Sequence, residues 1–227
     1  MNQRPWHLIP PCTEPVNTIY RDDWLWVINK PAFLLSVPGR GPEKQDCVLH
    51  RLQQQEADVR LVHRLDLDTS GLMVFAIGKP AQSALGRAFQ QRQVDKTYDA
   101  VVQGVVSEDE GDIRLPLIAD WANRPRQKVC HERGKPALTR YQVVCRHADA
   151  TYVRLFPHTG RSHQLRIHCR ELGHPILGCD LYSPPEVEAR SPRLLLHATR
   201  LELPHPENGR RISFQSAAPF SEAWAER

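Results

Sequence analysis

Residues Gly71 to Gly78, GLMVFAIG, carry no charged side chain and no side-chain hydroxyl or amide. A run this continuous in apolar residues reads as a strand buried in a core. Directly before it, residues 63–70 place His63, Arg64, Asp66, Asp68, Thr69 and Ser70 in one short polar stretch. That stretch is a loop feeding the strand, and Gly71 allows a tight entry. Loops held by rigid elements are where chemistry concentrates, so this junction is the first candidate for a site.

Elsewhere short strand-like runs dominate, and 19 prolines argue against long helices. DDWLWVINKP predicts a strand stopping at Pro31, followed by the loop FLLSVPGRGPEKQD. CVLHRLQQQEA predicts a short helix through Val48, Leu49 and Leu52. KPAQSALGRAFQQRQV predicts another, with Pro80 in its first turn and Ala81, Leu85, Ala88 and Phe89 on one face. KTYDAVVQGVV reads as a strand with Tyr98, Ala100 and Val102 on one side, and EDEGD as a turn. LPLIADWANRPRQKVCHERGKPAL reads as a basic loop folding back as a hairpin, before two strands, TRYQVVCRH and TYVRLFPHTG. RSHQLRIHCRELG predicts a helix closed by Gly173, with Leu165, Cys169 and Leu172 inward. RLLLHATRLELPHP and RISFQSAAP finish as strands. Few helices, about eight strands or more and no β-α-β alternation predict an α+β architecture on a mostly antiparallel sheet. The 227 residues suffice for one large domain or two subdomains.

The net charge of +4 hides a division. Trp121 to Arg170 holds 11 Lys and Arg against 2 acids, a local +9, while the remainder sums to −5. This has the form of an electrostatic footprint for a polyanion, although a solvated basic face looks the same. The six cysteines, Cys12, Cys47, Cys130, Cys145, Cys169 and Cys179, include no Cys-x-x-Cys pair. Reduced thiols are expected, with Cys145 a small core residue. The N-terminal MNQRPWHLIPPCTEP shows no signal-peptide pattern, and no run approaches the ~18 apolar residues of a membrane span. A cytoplasmic protein is expected.

Arg64 and Asp66, two apart, project to the same side of an extended chain. A carboxylate held there suits a nucleophile or base, although an isolated Arg-x-Asp pair reads far more often as a salt-bridged turn. The neighbouring residues decide between these. HRLDLDTSGLMVFA closely resembles the signature His-Arg-Leu-Asp-x-x-Thr-Ser-Gly-Leu-Leu-x-x-Ala of the RluA-type pseudouridine synthases. INKPAFLLSVPGR, KTYDAVVQG, HTGRSHQLRIHCRELGHPILG and LLLHATRLELPHP are similar to four further stretches of that family, in its order.

The resemblance implies the pseudouridine synthase fold: a mixed, mostly antiparallel sheet in two halves, flanking helices and a central catalytic cleft. It implies an isomerase acting on structured RNA without cofactor or metal. The C1′–N1 bond of a flipped uridine is cut and the uracil is rejoined through C5. Asp66 matches the catalytic aspartate, as nucleophile or as base in a glycal-type route, while Asp68 occupies a variable position. Tyr98 matches the active-site tyrosine, and Arg166 the arginine that pairs with the aspartate. Arg64 is implied to stack where the flipped base had been. Leu196 belongs by resemblance to the apolar wall under the uracil. His63, Arg161 and His163 are expected at the RNA, with Arg124, Arg126 and Lys128 of NRPRQK gripping the stem. No Walker loop or Gly-x-Gly-x-x-Gly is found. His163 and His168, five apart on the expected helix, do not share a face, which argues against a metal.

Two departures stand out. Residues 1–19 cannot hold the S4-type RNA-binding domain that many relatives carry, so an extension over 1–19, a catalytic domain over 20–220 and a tail over 221–227 are expected. Cys179 also stands where the commoner pattern has Asp, with Asp180 one later. SVPGR and ADWANRPRQKVC are further similar to the dual-specificity branch of the family. That branch implies uridine 746 of 23S rRNA and uridine 32 of tRNA anticodon loops. No exposed apolar stripe stands out, so a monomer is expected. The chief rival is a silent RNA-binding module using the same basic face. A serine hydrolase through Ser70 or Ser162 ranks behind it, since no Gly-x-Ser-x-Gly elbow is present.

Overall fold

The computed structural model describes residues 11–225, so most of the expected 1–19 extension and the end of the 221–227 tail lie outside the described residues. In chain order the elements are β1 (Asn17–Arg21), β2 (Leu25–Lys30), α1 (Val48–Gln53), β3 (Val59–Leu61), β4 (Ser70–Ile77), α2 (Lys79–Gln90) and β5 (Asp95–Gln103). There follow β6 (Glu110–Arg114), β7 (Leu117–Ala119), β8 (Gln127–Val129), β9 (Leu138–Arg146), β10 (Ala150–Pro157) and α3 (Gln164–Glu171). The last are α4 (Pro185–Glu188), β11 (Leu196–Pro204), β12 (Arg211–Gln215) and α5 (Ser221–Ala225). Strands with few short helices and mostly antiparallel pairing make this the expected α+β class.

The described residues fall into two units, one of 11–96 with 197–217, the other of 97–196 with 218–225. In the first, β2 lies between β1 and β4, antiparallel to both. The far edge of β4 is shared. β11 runs parallel to its start at Ser70–His197 and Gly71–Ala198, and β3 runs antiparallel to its end from Phe75 to Ile77. The run 71–76 is fully buried, as its composition demands, because α2 covers one side with Ala81, Leu85 and Ala88. Each buried Leu or Val here contributes about 1.5–3 kcal/mol.

In the second unit the order is β5-β10-β9-β6, antiparallel throughout. The basic segment does fold back as a hairpin, β7 with β8, whose tip carries Trp121 to Arg126. Helix α3 departs from expectation. It starts at Gln164, because His163 sits at φ 56° in the left-handed region and cannot belong to a right-handed helix. It is buried on nearly every side from Gln164 to Cys169, whereas Leu172, expected inward, is 36% exposed. Arg166 and His168 are inside.

Smaller corrections follow. β1 begins at Asn17, before the expected boundary at residue 20, and EDEGD runs into β6 rather than only turning. Cys145 is half-buried at the edge of the core, and none of the six cysteines forms a disulfide. α4 and α5 are too short to carry a periodicity that a sequence pattern could show. Among the described residues, no helix is long and apolar enough to cross a membrane.

Candidate active site

The polar loop 62–69 is fixed from the stretch that follows β2. Ser36 Oγ donates to the Leu65 carbonyl (2.7 Å) and accepts from the Leu65 amide (3.1 Å), immediately before Asp66. On the other side of Asp66, the Leu67 carbonyl accepts from the Phe33 amide (2.9 Å) and from Lys30 Nζ (3.1 Å). Lys30 is fully buried and its ammonium also reaches the carbonyls of Pro31 and Leu34, both at 2.8 Å. The amide of Thr69 closes a turn on the Asp66 carbonyl (3.2 Å). The Asp66 carboxylate, half-buried, thus rides on backbone pinned at both neighbours. Arg64 is exposed, and among the described residues its guanidinium makes no hydrogen bond or ion pair.

His63 has a structural task in the fold. Its Nε2 accepts from the Val74 amide (3.0 Å), and its ring stacks on Phe89 of α2 with centroids 4.8 Å apart. The imidazole stands in for a strand partner between β11 and β3. Burial, with the charge of Lys96, pushes its pKa down to about 3, so the accepting nitrogen is bare at neutral pH. Where the loop enters β4, Ser70 Oγ meets His197 Nδ1 at 2.7 Å, and His197 Nε2 meets Ser216 Oγ at 3.3 Å.

In the other unit, Tyr98 lies half-buried on β5 opposite Leu155 of β10. Its neighbour Asp99 points to the opposite face, where Tyr152 Oη (2.9 Å) and Arg154 Nε (3.1 Å) hold it. Arg166 is 2% exposed. Its Nε donates to Cys179 Sγ (3.3 Å), a terminal nitrogen pairs with Asp180 (2.5 Å), and the guanidinium lies 5.3 Å from the Tyr182 ring centre. The residue at the unusual position and the aspartate after it therefore both engage Arg166. Tyr182 further accepts from the Gln127 amide of β8 (2.9 Å) and meets His163 Nδ1 (2.5 Å).

The chain matches the RNA pseudouridylate synthase family over residues 24–171. It belongs to that family. It is 49% identical over 212 residues to the dual-specificity RNA pseudouridine synthase RluA of Pasteurella multocida, covering 93% of this chain and 97% of that protein. Identity to the Escherichia coli K12 protein of the same name is 50% over 219 residues, 96% of each chain. The solved structure of human RNA Pseudouridylate Synthase Domain Containing 1 superposes with a TM-score of 0.77 at 28% identity, covering 94% of this chain and 87% of that one. The architecture is thus the pseudouridine synthase fold.

Of the other residues that the family resemblance singled out, Leu196 is 3% exposed at the start of β11, in the apolar core of its unit. Arg161 donates to the Pro136 carbonyl from the loop before α3 (3.2 Å). Arg124 lies over the ring of Trp121, itself 70% exposed, and Lys128 pairs with Asp120 at 3.4 Å. His168 is no surface group. Nδ1 meets Thr139 Oγ1 and Nε2 the Leu115 carbonyl, and burial lowers its pKa. Among the described residues no three His, Cys, Asp or Glu side chains come together as metal ligands. Sequence reasoning passed over Ser36, Lys30 and Gln164. The Gln164 amide holds Thr159 and Arg161 on one side and Leu138 and Thr139 on the other.

Proposed function

We propose that this chain isomerises uridine to pseudouridine in folded RNA, at uridine 746 of 23S rRNA and uridine 32 of tRNA anticodon loops. The observation that carries the residue assignment is the double brace on the Asp66 backbone, from Ser36 on one side and from Lys30 and Phe33 on the other. A nucleophile or base must meet a single carbon or proton, and a fixed carboxylate does this with little reorganisation. The reaction is internally balanced. The C1′–N1 bond breaks, N1 gains a proton, C1′ bonds to C5, and C5 loses its proton. Asp66 serves the first step. The uracil stacks on Tyr98, whose hydroxyl is assigned the task of helping to take the C5 proton. Arg166 carries the role that the resemblance gives it, and Leu196 the apolar wall.

Exposed and without an ion pair among the described residues, Arg64 suits insertion into the stack that the uridine leaves. The hairpin tip, with Arg124 on the exposed Trp121 and Arg126 and Lys128 beside it, supplies phosphate and stacking contacts. The protein works as a cytoplasmic monomer. The deciding experiment is tritium release from C5-labelled uridine in an anticodon stem-loop and a 23S rRNA hairpin. Release by wild type, abolished in Asp66→Asn with binding intact, is expected. Release from one RNA alone removes the dual specificity. Tight binding with no release from either RNA, nor from total unmodified RNA, supports instead the silent binder.

A further inference from the structure

Lys96 is half-buried near the start of β5, and among the described residues its ammonium makes no hydrogen bond or ion pair. The neighbouring carboxylate, Asp95, is turned to the guanidinium of Arg211, which also holds the Gln93 carbonyl at 2.9 Å. Burial lowers the pKa of Lys96, and the charge of Asp95 offsets this only in part. The charge of Lys96 is felt by His63, which precedes the exposed Arg64. Two positions along the same strand is Tyr98, so Lys96 and Tyr98 project from one face of β5. An ammonium held half out of water, its charge only partly offset by a neighbouring carboxylate turned elsewhere, is unfavourable in the free protein. An arriving anion removes that penalty. RNA offers one kind of anion, the phosphodiester, and a compact three-donor ammonium suits it.

We propose that Lys96 binds a backbone phosphate next to the target uridine and, with Arg64, sets the register of the RNA strand. This rests on the RNA-modifying reading above. The test measures binding of an anticodon stem-loop by wild type, Lys96→Met and Lys96→Arg across a series of salt concentrations, with thermal unfolding and saturating-RNA turnover alongside. Lys96→Met is expected to bind several-fold more weakly. Its slope of log affinity against log salt should be shallower by about 0.7–0.9, the loss of one phosphate contact. Its melting temperature should not fall, because no hydrogen bond or ion pair among the described residues is lost, and kcat at saturating RNA should stay within about twofold while KM rises. Lys96→Arg should recover most of the slope. An unchanged salt slope overturns the proposal, whether or not the melting temperature moves. A lower kcat with an unchanged slope overturns it in favour of a chemical role. Binding is read without turnover. Wild type that binds but releases no tritium therefore defeats the synthase reading and leaves the Lys96 comparison standing, whereas wild type that fails to bind RNA overturns both.

Discussion

The Ser36 hydroxyl and the Leu65 peptide form a closed pair of hydrogen bonds, donated at 2.7 Å and accepted at 3.1 Å, one residue before Asp66. Ser36→Ala strands a buried amide and a buried carbonyl, at about 1–3 kcal/mol of stability. It also loosens the carboxylate's position without touching RNA. The rate constant for tritium release at saturating RNA should fall about tenfold, equivalent to ~1.4 kcal/mol in the barrier, with affinity unchanged. An unaltered rate constant would show that the loop holds Asp66 without this clamp.

Arg166 is buried against Asp180 and Cys179, so its partners are expected to matter unequally. Asp180→Ala removes a carboxylate paired with Arg166 and should cost about 2–3 kcal/mol in urea unfolding. That is below the figure for a fully enclosed pair, because Asp180 is 21% exposed. Cys179→Ala removes a weaker acceptor and a small buried side chain, and about 1–2 kcal/mol is expected. Equal losses would mean that packing, not the ion pair, fixes the guanidinium.

The fold and the site were unequally legible in the sequence. Strands announced themselves where apolar continuity left no other home, as in Leu72 to Ala76, and α2 where Ala81, Leu85 and Ala88 fell on one stripe. Lys30 was invisible in this sense, since a lysine closing a strand before a proline looks like a surface cation. Only the carbonyls of Pro31, Leu34 and Leu67 converging on it make it interior. Helical spacing pointed only to Leu165, Cys169 and Leu172 as inward, while this helix is walled on nearly every side and buries Arg166 and His168 as well. His63 carried a motif signal, but its inward hydrogen bond depends on a gap between two strands that meet only in three dimensions.

That gap gives a pH prediction. His63 accepts from Val74 only when neutral, and its pKa in the fold is about 3. The unfolded chain protonates the same ring near pH ~6.5. Between these values the unfolded state binds more protons, so this contribution to stability is complete above about pH 6.5 and declines as pH falls toward 3. His63→Gln keeps an acceptor oxygen and does not titrate. Between about pH 7.5 and about pH 5 the wild type should lose more melting temperature than the variant. Parallel losses would place the acid sensitivity elsewhere.

The entry to β4 sets a strict steric condition. Gly71 has φ +115°, and a Cβ there would lie 2.4 Å from both the backbone nitrogen and the backbone oxygen of Ala198. Neither strand can retreat, because β4 and β11 are bridged at Ser70–His197 and Gly71–Ala198, and Ser70 Oγ meets the buried His197 ring at 2.7 Å. Gly71→Ala should therefore cost about 4 kcal/mol or more, or prevent soluble expression. Gly78, at the other end of the same strand, is the control. Its φ is +82°, yet a Cβ would meet nothing closer than 3.5 Å, so Gly78→Ala carries only backbone strain of about 1–3 kcal/mol. Urea unfolding of the two variants separates strain from collision. Equal destabilisation would mean that the approach of Ala198 is not what demands glycine at position 71.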